Sequence, residues 1–315
     1  MQGEVNEQQP DGVMSEFGYY PVETNIETEQ FSLLTLPDLI GKIERVNNDK
    51  NVVKGWIYPG NQEIYSLNGA ISTMPYCHRV FGMPKTHVLK LKKTSSLETL
   101  NFVVWCLSFF NGIRLTTTDG GFLDATTIKP TKLTDFILVG CSEKEVIELA
   151  LNYITRKHKN ANSPKRIAAV VHALFLSQNP QYLSFEKFQY LYMALDGCFA
   201  LSWAEYEKAP DKTPPNHYKR LKWMCKIYGL SIPTWASGKK NISGIRNDNF
   251  HEAIFFGQPL GFSSINNSQY GNDILLQMQA LVCRLLAAIL SVNDCSYLKS
   301  SVNTREYHSL KINQC

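Results

Sequence analysis

The chain has 315 residues with a formal net charge of +4, and 44% of its residues are hydrophobic and 11% aromatic. That length suits two domains of ordinary size and that composition can fill their cores, which excludes a disordered or fibrous protein. The modest net charge neither requires nor excludes a polyanionic partner.

Cysteine spacing and apolar segments indicate the compartment. Several of the eight cysteines lie inside apolar runs such as VVWCLSFF, as expected of buried thiols in a reducing compartment rather than of disulfides or a metal site. The chain opens with MQGEVNEQQPDG, which is too polar and acidic for a secretory signal. Its longest apolar stretch, LVCRLLAAILSV, contains Arg284 and is too short for a membrane span. We therefore expect a cytoplasmic protein without membrane contact.

The first 141 residues predict an arm and an α+β domain. Residues 1–28 combine Glu, Gln, Gly and Pro with few large apolar side chains, which predicts a flexible acidic arm. Residues 29–141 predict the α+β domain, whose role the sequence does not indicate. Its central helix is expected in SSLETLNFVVWCLSFFNG, which begins with a Ser cap and stops at Asn111-Gly112. Strands are expected in NVVKGWIY, HVLKLKK, GIRLTTT and DFILVG.

Residues 142–315 change to long helical periods, which predicts an all-α bundle with a boundary near residue 142. Ser142 and Glu145 form a capping-box pattern, and Ser163 is expected to cap a helix with Pro164 in its first turn. Five helices are predicted, in SEKEVIELALNYITRKHKN, SPKRIAAVVHALFLSQ, SFEKFQYLYMALDGCFALSWAEYEK, PPNHYKRLKWMCKIYGL and DILLQMQALVCRLLAAILSV.

The segment SGIRNDNFHEAIFFGQPLGF carries the strongest chemical motif, with Arg246, Asn247 and His251 in an R-N-x-x-x-H pattern. We expect this pattern to begin a helix, on which Asn247 and His251 share a face and Arg246 lies about 140° from His251 around the axis. Asn247 would then orient His251, while Arg246 would reach a phosphate shared with a second copy of the site. This angle, and the apolar surface on nearly every side of the last predicted helix, favour a homodimer.

A late R-N-x-x-x-H motif after a run of helices and before a buried terminal helix resembles the HEPN (higher eukaryotes and prokaryotes nucleotide-binding) superfamily. IRNDNFHEAIFFGQPLGF is similar to bacterial HEPN proteins of defence and toxin loci, and the resemblance covers residues 142–315. It implies a metal-independent endoribonuclease that uses no cofactor, and an antitoxin or regulatory protein as a possible partner. HEPN toxins silenced by AMPylation carry Tyr two positions after the motif's His, where this chain has Ala253, so that regulation is not expected.

The implied chemistry suits these side chains. Attack of a ribose 2′-OH on the adjacent phosphate needs a group that exchanges protons near neutral pH, as His251 does, and a fixed positive charge, which Arg246 supplies. Asn247 would hold the imidazole, and the phosphate is expected near the helix N-terminus. The family also places an acidic residue on an earlier helix, for which Asp196 is the candidate. The alternative for Asp196 is a buried carboxylate satisfied by backbone or Tyr.

Basic residues are concentrated just before the motif, from Glu205 to Arg246. This stretch is a candidate surface for RNA phosphates, and an ordinary solvated helix face is the alternative. The candidate RNA-binding residues are Lys219, Arg220, Lys222, Lys239 and Lys240.

Two function classes stay open at this point. In the first, the protein is a ribonuclease that acts as a toxin or antiphage-defence effector. In the second, it is a non-catalytic RNA-binding or interaction module, in which Arg246 pairs with an acid such as Asp248 or Glu252 and His251 is a surface residue with its hydrogen bonds satisfied.

The other histidines do not indicate a metal site. His172 is interpreted as a core residue. His78, His87 and His217 lack acidic or thiol partners at the spacing that metal ligands need, so no metal site is expected.

Overall fold

The structure is a computed structural model that describes residues 12–140, 142–157, 162–206, 213–236, 242–252, 254, 273–303 and 308–312. It forms two compact units, and each is described by itself. Unit 1 contains residues up to 108 and 113–130, and unit 2 contains residues 109–112 and those from 131 onward. A strand-rich part followed by a helical part confirms the predicted order of an α+β region and a helical one.

Unit 1 is built from short strands and two helices. Its elements in chain order are β1 (Val13–Gly18), β2 (Ile26–Glu27), β3 (Phe31–Thr35), α1 (Leu39–Asn47), β4 (Val52–Val53), β5 (Trp56–Ile57), β6 (Asn61–Tyr65), β7 (Ile71–Cys77), β8 (Val80–Phe81), β9 (Lys85–Leu91), α2 (Leu97–Asn111), β10 (Phe122–Leu123) and β11 (Thr126–Thr127). The last three residues of α2 belong to unit 2.

A four-stranded antiparallel sheet in the order β1-β9-β3-β2 forms the centre of unit 1. Alternate residues of its strands are buried, as with Leu89 and Leu91 of β9, because one face of the sheet packs on the core. The predicted central helix is confirmed as α2. The Ser96 hydroxyl oxygen accepts a hydrogen bond from the Thr99 amide at 3.1 Å, and Gly112 ends the helix with a φ of +57°.

Two expectations for the first part of the chain are wrong. The predicted flexible arm is already β-structure from Val13, where β1 pairs with β9 and buries Phe17; residues 1–11 lie outside the described residues. GIRLTTT contributes an isolated bridge, from Thr116 to Gly18, instead of a strand. The hairpin of β6 and β7, which the sequence analysis did not identify, turns at Asn68-Gly69.

Unit 2 is mainly helical. Its elements are β12 (Phe136–Leu138), α3 (Glu143–Lys157), α4 (Asn162–Leu176), α5 (Ser184–Tyr206), α6 (His217–Ile227), a short 3-10 helix (Thr234–Ala236), α7 (Ile242–Phe250), α8 (Ile274–Ile289), α9 (Cys295–Lys299) and β13 (His308–Leu310). The strand predicted in DFILVG is β12, which pairs in parallel with β13 and therefore belongs to unit 2 rather than to the first domain.

The five predicted helices are confirmed as α3, α4, α5, α6 and α8. One half of the predicted capping box before α3 is present, since the Ser142 amide donates to the Glu145 carboxylate at 2.8 Å. The Glu145 amide donates to the Ser142 backbone carbonyl at 3.1 Å rather than to its hydroxyl oxygen. Helix α4 begins one residue earlier than expected, so Ser163 lies inside its first turn instead of capping it.

Helix α8 is the central helix of unit 2. Most of its side chains are buried in this unit, and Leu276 is its exposed large apolar residue, so its hydrophobic character does not indicate a second copy. Arg284 is buried and donates to Asp135 at 2.5 Å and to Ser300. The Tyr297 hydroxyl also donates to Asp135 at 2.6 Å, so the buried charge is paired and hydrogen-bonded.

Two further predictions concern the whole sequence. Four cysteines (Cys106, Cys198, Cys225 and Cys283) are buried thiols as expected, whereas Cys77 on β7 is exposed. In the described part of the chain, helices that are long and apolar enough to cross a bilayer are absent.

Candidate functional site

The R-N-x-x-x-H motif lies at the end of α7 rather than at its beginning. Arg246 is in the middle of this helix and His251 follows its last residue, Phe250. The His251 amide still donates to the Asn247 carbonyl at 2.9 Å, so the imidazole is held next to the last turn. The expectation that the motif begins a helix is therefore wrong, and the reason for placing a phosphate at a helix N-terminus no longer holds. At a C-terminal end the helix dipole is negative, and an anion must be held by side chains.

Arg246 and His251 are in direct contact within one chain. The Arg246 Nη1 atom lies 2.5 Å from His251 Nε2 and 3.2 Å from Asn247 Oδ1. The helical angle had predicted that Arg246 and His251 diverge. This expectation is wrong because His251 is beyond the helix and the arginine side chain is long enough to reach back to it. Asn247 contacts the guanidinium instead of the imidazole, so its predicted orienting role applies to Arg246.

A second group of polar side chains comes from α5 and α6. Arg220 Nη1 donates to Asp196 Oδ1 at 3.2 Å and lies 3.3 Å from His217 Nδ1. His217 Nδ1 is 3.6 Å from the same carboxylate oxygen. The side chains of the three residues are between 23% and 35% exposed, so this group is accessible at the surface of unit 2.

Tyr192 connects the two groups. Its ring centroid is 6.3 Å from that of His217, and the Arg246 guanidinium lies 6.0 Å from the ring. Burial raises the pKa of the Tyr192 hydroxyl above its ordinary value, and the Asp196 carboxylate raises it further, against the opposing effects of Arg246 and Arg220. The Tyr192 hydroxyl is therefore neutral at pH 7, and the Tyr192 ring forms one uncharged side of the cluster.

Burial and the neighbouring basic groups lower the pKa of His217. Burial is the largest cause; Asp196 opposes it, and Arg220, Arg246 and His251 add to the lowering. Because the Tyr192 ring lies next to both His217 and Arg246, the α7 pair and the α5–α6 group are neighbours and form one site. We call it the α5–α7 cluster: Tyr192, Asp196, His217, Arg220, Arg246, Asn247 and His251.

The structure brings together the four residues predicted to be catalytic, since Asp196 belongs to the same cluster as the motif. The sequence analysis missed His217. It found no acidic partner for this histidine because Asp196 is on another helix, and no local pattern connects the two positions.

The predicted RNA-binding residues occupy different positions. Lys219 and Lys222 are exposed on α6, whereas Arg220 is turned inward, with its guanidinium bonded to Asp196 and 4.5 Å from the ring of Phe199. Lys239 and Lys240 lie outside the described residues, as does Ala253. Arg220 therefore contributes to the cluster itself instead of offering a free charge on the basic face.

Three further histidines that the sequence analysis considered are described by the structure. His172 on α4 is half-buried, His78 is exposed in unit 1, and His87 is buried in the core of unit 1. Within the described ranges, no group of three or more His, Cys, Asp or Glu side chains is placed to bind a metal ion.

Chemically, the cluster combines two arginines and two imidazoles with one carboxylate. Arginine forks bind phosphate oxygens in bidentate fashion, and imidazoles exchange protons near neutral pH. The arrangement suits binding of a phosphate and proton transfer beside it. Comparisons of the chain with protein-family models, with curated proteins and with solved structures gave no match.

Proposed function

We propose that the chain is a metal-independent endoribonuclease whose active site is the α5–α7 cluster in a HEPN-like helical bundle. The observation that carries the proposal is the contact between Arg246 and His251 at the surface of unit 2, next to a second arginine and a second histidine. The sequence resemblance to HEPN proteins of defence and toxin loci supports the same reaction. A role as a toxin or antiphage-defence effector follows from that resemblance.

The roles of the residues follow from their chemistry. Arg246 would bind the non-bridging oxygens of the scissile phosphate and stabilise the extra negative charge of the transition state. His251 would exchange a proton with the reacting oxygens. Asn247, through its 3.2 Å contact with Nη1, would fix the direction of the Arg246 guanidinium. Asp196 would hold Arg220 and His217 in place.

RNA, rather than DNA, is the proposed substrate because the reaction needs a 2′-OH as the attacking group. A metal ion is not required in this scheme, since Arg246 provides the positive charge and His251 moves the protons. The products would be one fragment with a 2′,3′-cyclic phosphate and one with a 5′-OH. These ends distinguish the proposed reaction from hydrolysis that leaves a 5′-phosphate.

The test is RNA degradation by the purified full-length chain in excess EDTA, followed by analysis of the fragment ends. We expect cleavage to persist in EDTA and to leave 2′,3′-cyclic phosphates. RNA that stays intact with a correctly folded protein would contradict the proposal and favour a non-catalytic binding module.

A further inference from the structure

His217 is a second imidazole in the α5–α7 cluster, and the scheme above gives it no chemical role. A single histidine that serves both reacting oxygens must move between them, whereas two imidazoles can serve one each. We propose that His217 is the general base of the reaction and that His251 is the general acid. This proposal rests on the ribonuclease function proposed above.

The ring of His217 is fixed along one edge and open along the other. Its Nδ1 atom faces the Asp196 carboxylate at 3.6 Å and the Arg220 guanidinium at 3.3 Å. Among the described residues, His217 Nε2 has no hydrogen-bond partner, and 31% of the side chain is exposed. The Arg220 guanidinium can only donate, and its Nη1 atom already donates to Asp196 at 3.2 Å, so the base role requires the tautomer with the proton on Nδ1, on the side of the carboxylate. In that tautomer the Nε2 lone pair is available to a ribose hydroxyl.

The surroundings of His217 favour the neutral imidazole. The charged and titratable groups that face it are Asp196 and Tyr192 from α5, Arg220 from α6, and Arg246 and His251 from α7. Burial and the three basic groups lower its pKa and outweigh the Asp196 carboxylate, which raises it. At pH 7 His217 is therefore in the form that can accept a proton.

The proposed step balances as follows. His217 Nε2 takes the proton of the 2′-OH while the 2′ oxygen forms a bond to phosphorus. The bond from phosphorus to the 5′ oxygen breaks, and that oxygen leaves with the electron pair and receives a proton from His251. The Arg246 guanidinium, which contacts His251 Nε2 in the free protein, turns to the phosphate oxygens and frees this nitrogen. His251 Nε2 then takes up a proton from solvent before the step, and this is the proton that it gives to the leaving 5′ oxygen.

The two roles can be separated with two substrates. One is an RNA oligonucleotide with a normal scissile phosphate, and the other carries sulfur in place of the leaving 5′ oxygen, which departs without protonation. His217→Ala in the full-length chain is expected to slow cleavage of both substrates by about 10²- to 10⁴-fold. His251→Ala is expected to be defective on the normal substrate and largely restored on the sulfur substrate.

The pH profile gives a readout that a structural role would not change. The wild-type rate should rise with pH as His217 loses its proton, and this acidic limb should be lost in His217→Ala and in His217→Gln. The glutamine variant keeps a polar group next to Asp196. If the alanine variant is unstable, the pH profile of the glutamine variant tests the role of His217. His78→Ala, which removes an exposed histidine in unit 1, is the matched control and should leave rate and profile unchanged.

Each result separates the two proposals. Cleavage at the wild-type rate by His217→Ala, or its rescue by the sulfur substrate, would overturn the assignment of His217 as base while leaving the ribonuclease function intact. A folded wild-type chain that cleaves neither substrate overturns the ribonuclease function, and with it the role of His217.

Discussion

At the scale of single residues, the position of His251 just after α7 determines the geometry of the site. A histidine inside the helix would point about 140° away from Arg246. Beyond Phe250 the imidazole instead contacts Arg246 Nη1 at 2.5 Å, and Asn247 Oδ1 accepts a hydrogen bond from the same nitrogen at 3.2 Å. One chain therefore provides both the fixed charge and the proton-transfer group.

A different histidine controls a pH response of unit 1. His87 is buried between the rings of Phe17 and Tyr20, with its ring nitrogens against the hydroxyls of Thr86 and Thr35 at 3.0 and 3.2 Å. Burial is the main cause that lowers its pKa to about 4, with a backbone hydrogen bond to Val22 opposing and Lys42 assisting. This histidine is therefore neutral in the folded unit at pH 7.

We predict that unit 1 loses stability as the pH falls from about 6.5 to 4. In this window the unfolded chain binds a proton at His87 and the folded chain does not, so stability is full above pH 6.5 and levels off below pH 4. The loss at this group is about 3 kcal/mol. Chemical denaturation of wild type and His87→Gln across this range measures it. The variant should be less stable at pH 7.5 but show a smaller pH dependence, and an equally steep dependence would contradict the assignment.

The residues of the site were only partly predictable from the sequence. Arg246, Asn247 and His251 form a local pattern, and Asp196 was suggested by the resemblance. His217 was missed, and Arg220 was predicted as an RNA-binding residue rather than as a neighbour of the motif, because their partner, Asp196, is on α5 and only packing brings α5 and α6 together. When the partner of a histidine is distant in the sequence, the residues around that histidine do not indicate the pairing.

At the scale of elements, α6 presents two different faces. His217 and Arg220 point toward α5, whereas Lys219, Lys222 and Lys226 are exposed. The exposed lysines follow helical spacing, so they form one basic face next to the α5–α7 cluster. This face is the proposed contact for RNA phosphates outside the scissile one.

We predict that Lys219→Glu combined with Lys222→Glu weakens RNA binding and lowers the salt slope of log K by about 2, because two phosphate contacts are lost. Arg220 is left intact, since its reversal would place a second carboxylate against Asp196. The control is Lys50→Glu with Lys90→Glu, which changes the charge equally on exposed lysines of unit 1. Equal slopes for the two double variants would assign the α6 lysines to an ordinary solvated face.

The elements themselves were predictable where the local signals were strong. Helices α3 and α2 carry side-chain caps at their first turns, and α8 has a long apolar sequence, so all three were found. The position of α7 was misjudged because its residues, among them Gly244, Asn247 and Asn249, have weak helix preference and carry no clear boundary signal. The β6–β7 hairpin did have a signal, the Asn68-Gly69 turn, which is typical of two-stranded hairpins.

At the scale of the whole molecule, the structure does not support an active site shared by two chains. That expectation depended on Arg246 and His251 pointing in different directions on one helix. The Arg246–His251 contact is made within one chain, and the apolar face of α8 is used inside unit 2. A homodimer stays a prediction, but each copy is expected to carry its own complete cluster.

Mixing variants tests this view of the assembly. A mixture of His251→Ala and Arg246→Ala chains, combined under conditions that allow exchange of subunits, should remain as inactive as each variant alone. Sedimentation of the mixture establishes whether dimers form. Recovery of a substantial part of the wild-type rate would instead show that one chain supplies arginine and the other histidine to a composite site.

The most direct test of the ribonuclease function is the rate of RNA cleavage in EDTA for the wild type, His251→Ala, Arg246→Ala and the control His78→Ala, all as full-length chains shown to be folded. His251 is exposed and Arg246 half-buried, so neither substitution removes a core contact. We expect wild type and His78→Ala to cleave at equal rates and both motif variants to lose at least about 10²-fold. A His251→Ala chain that cleaves as fast as wild type would contradict the central claim.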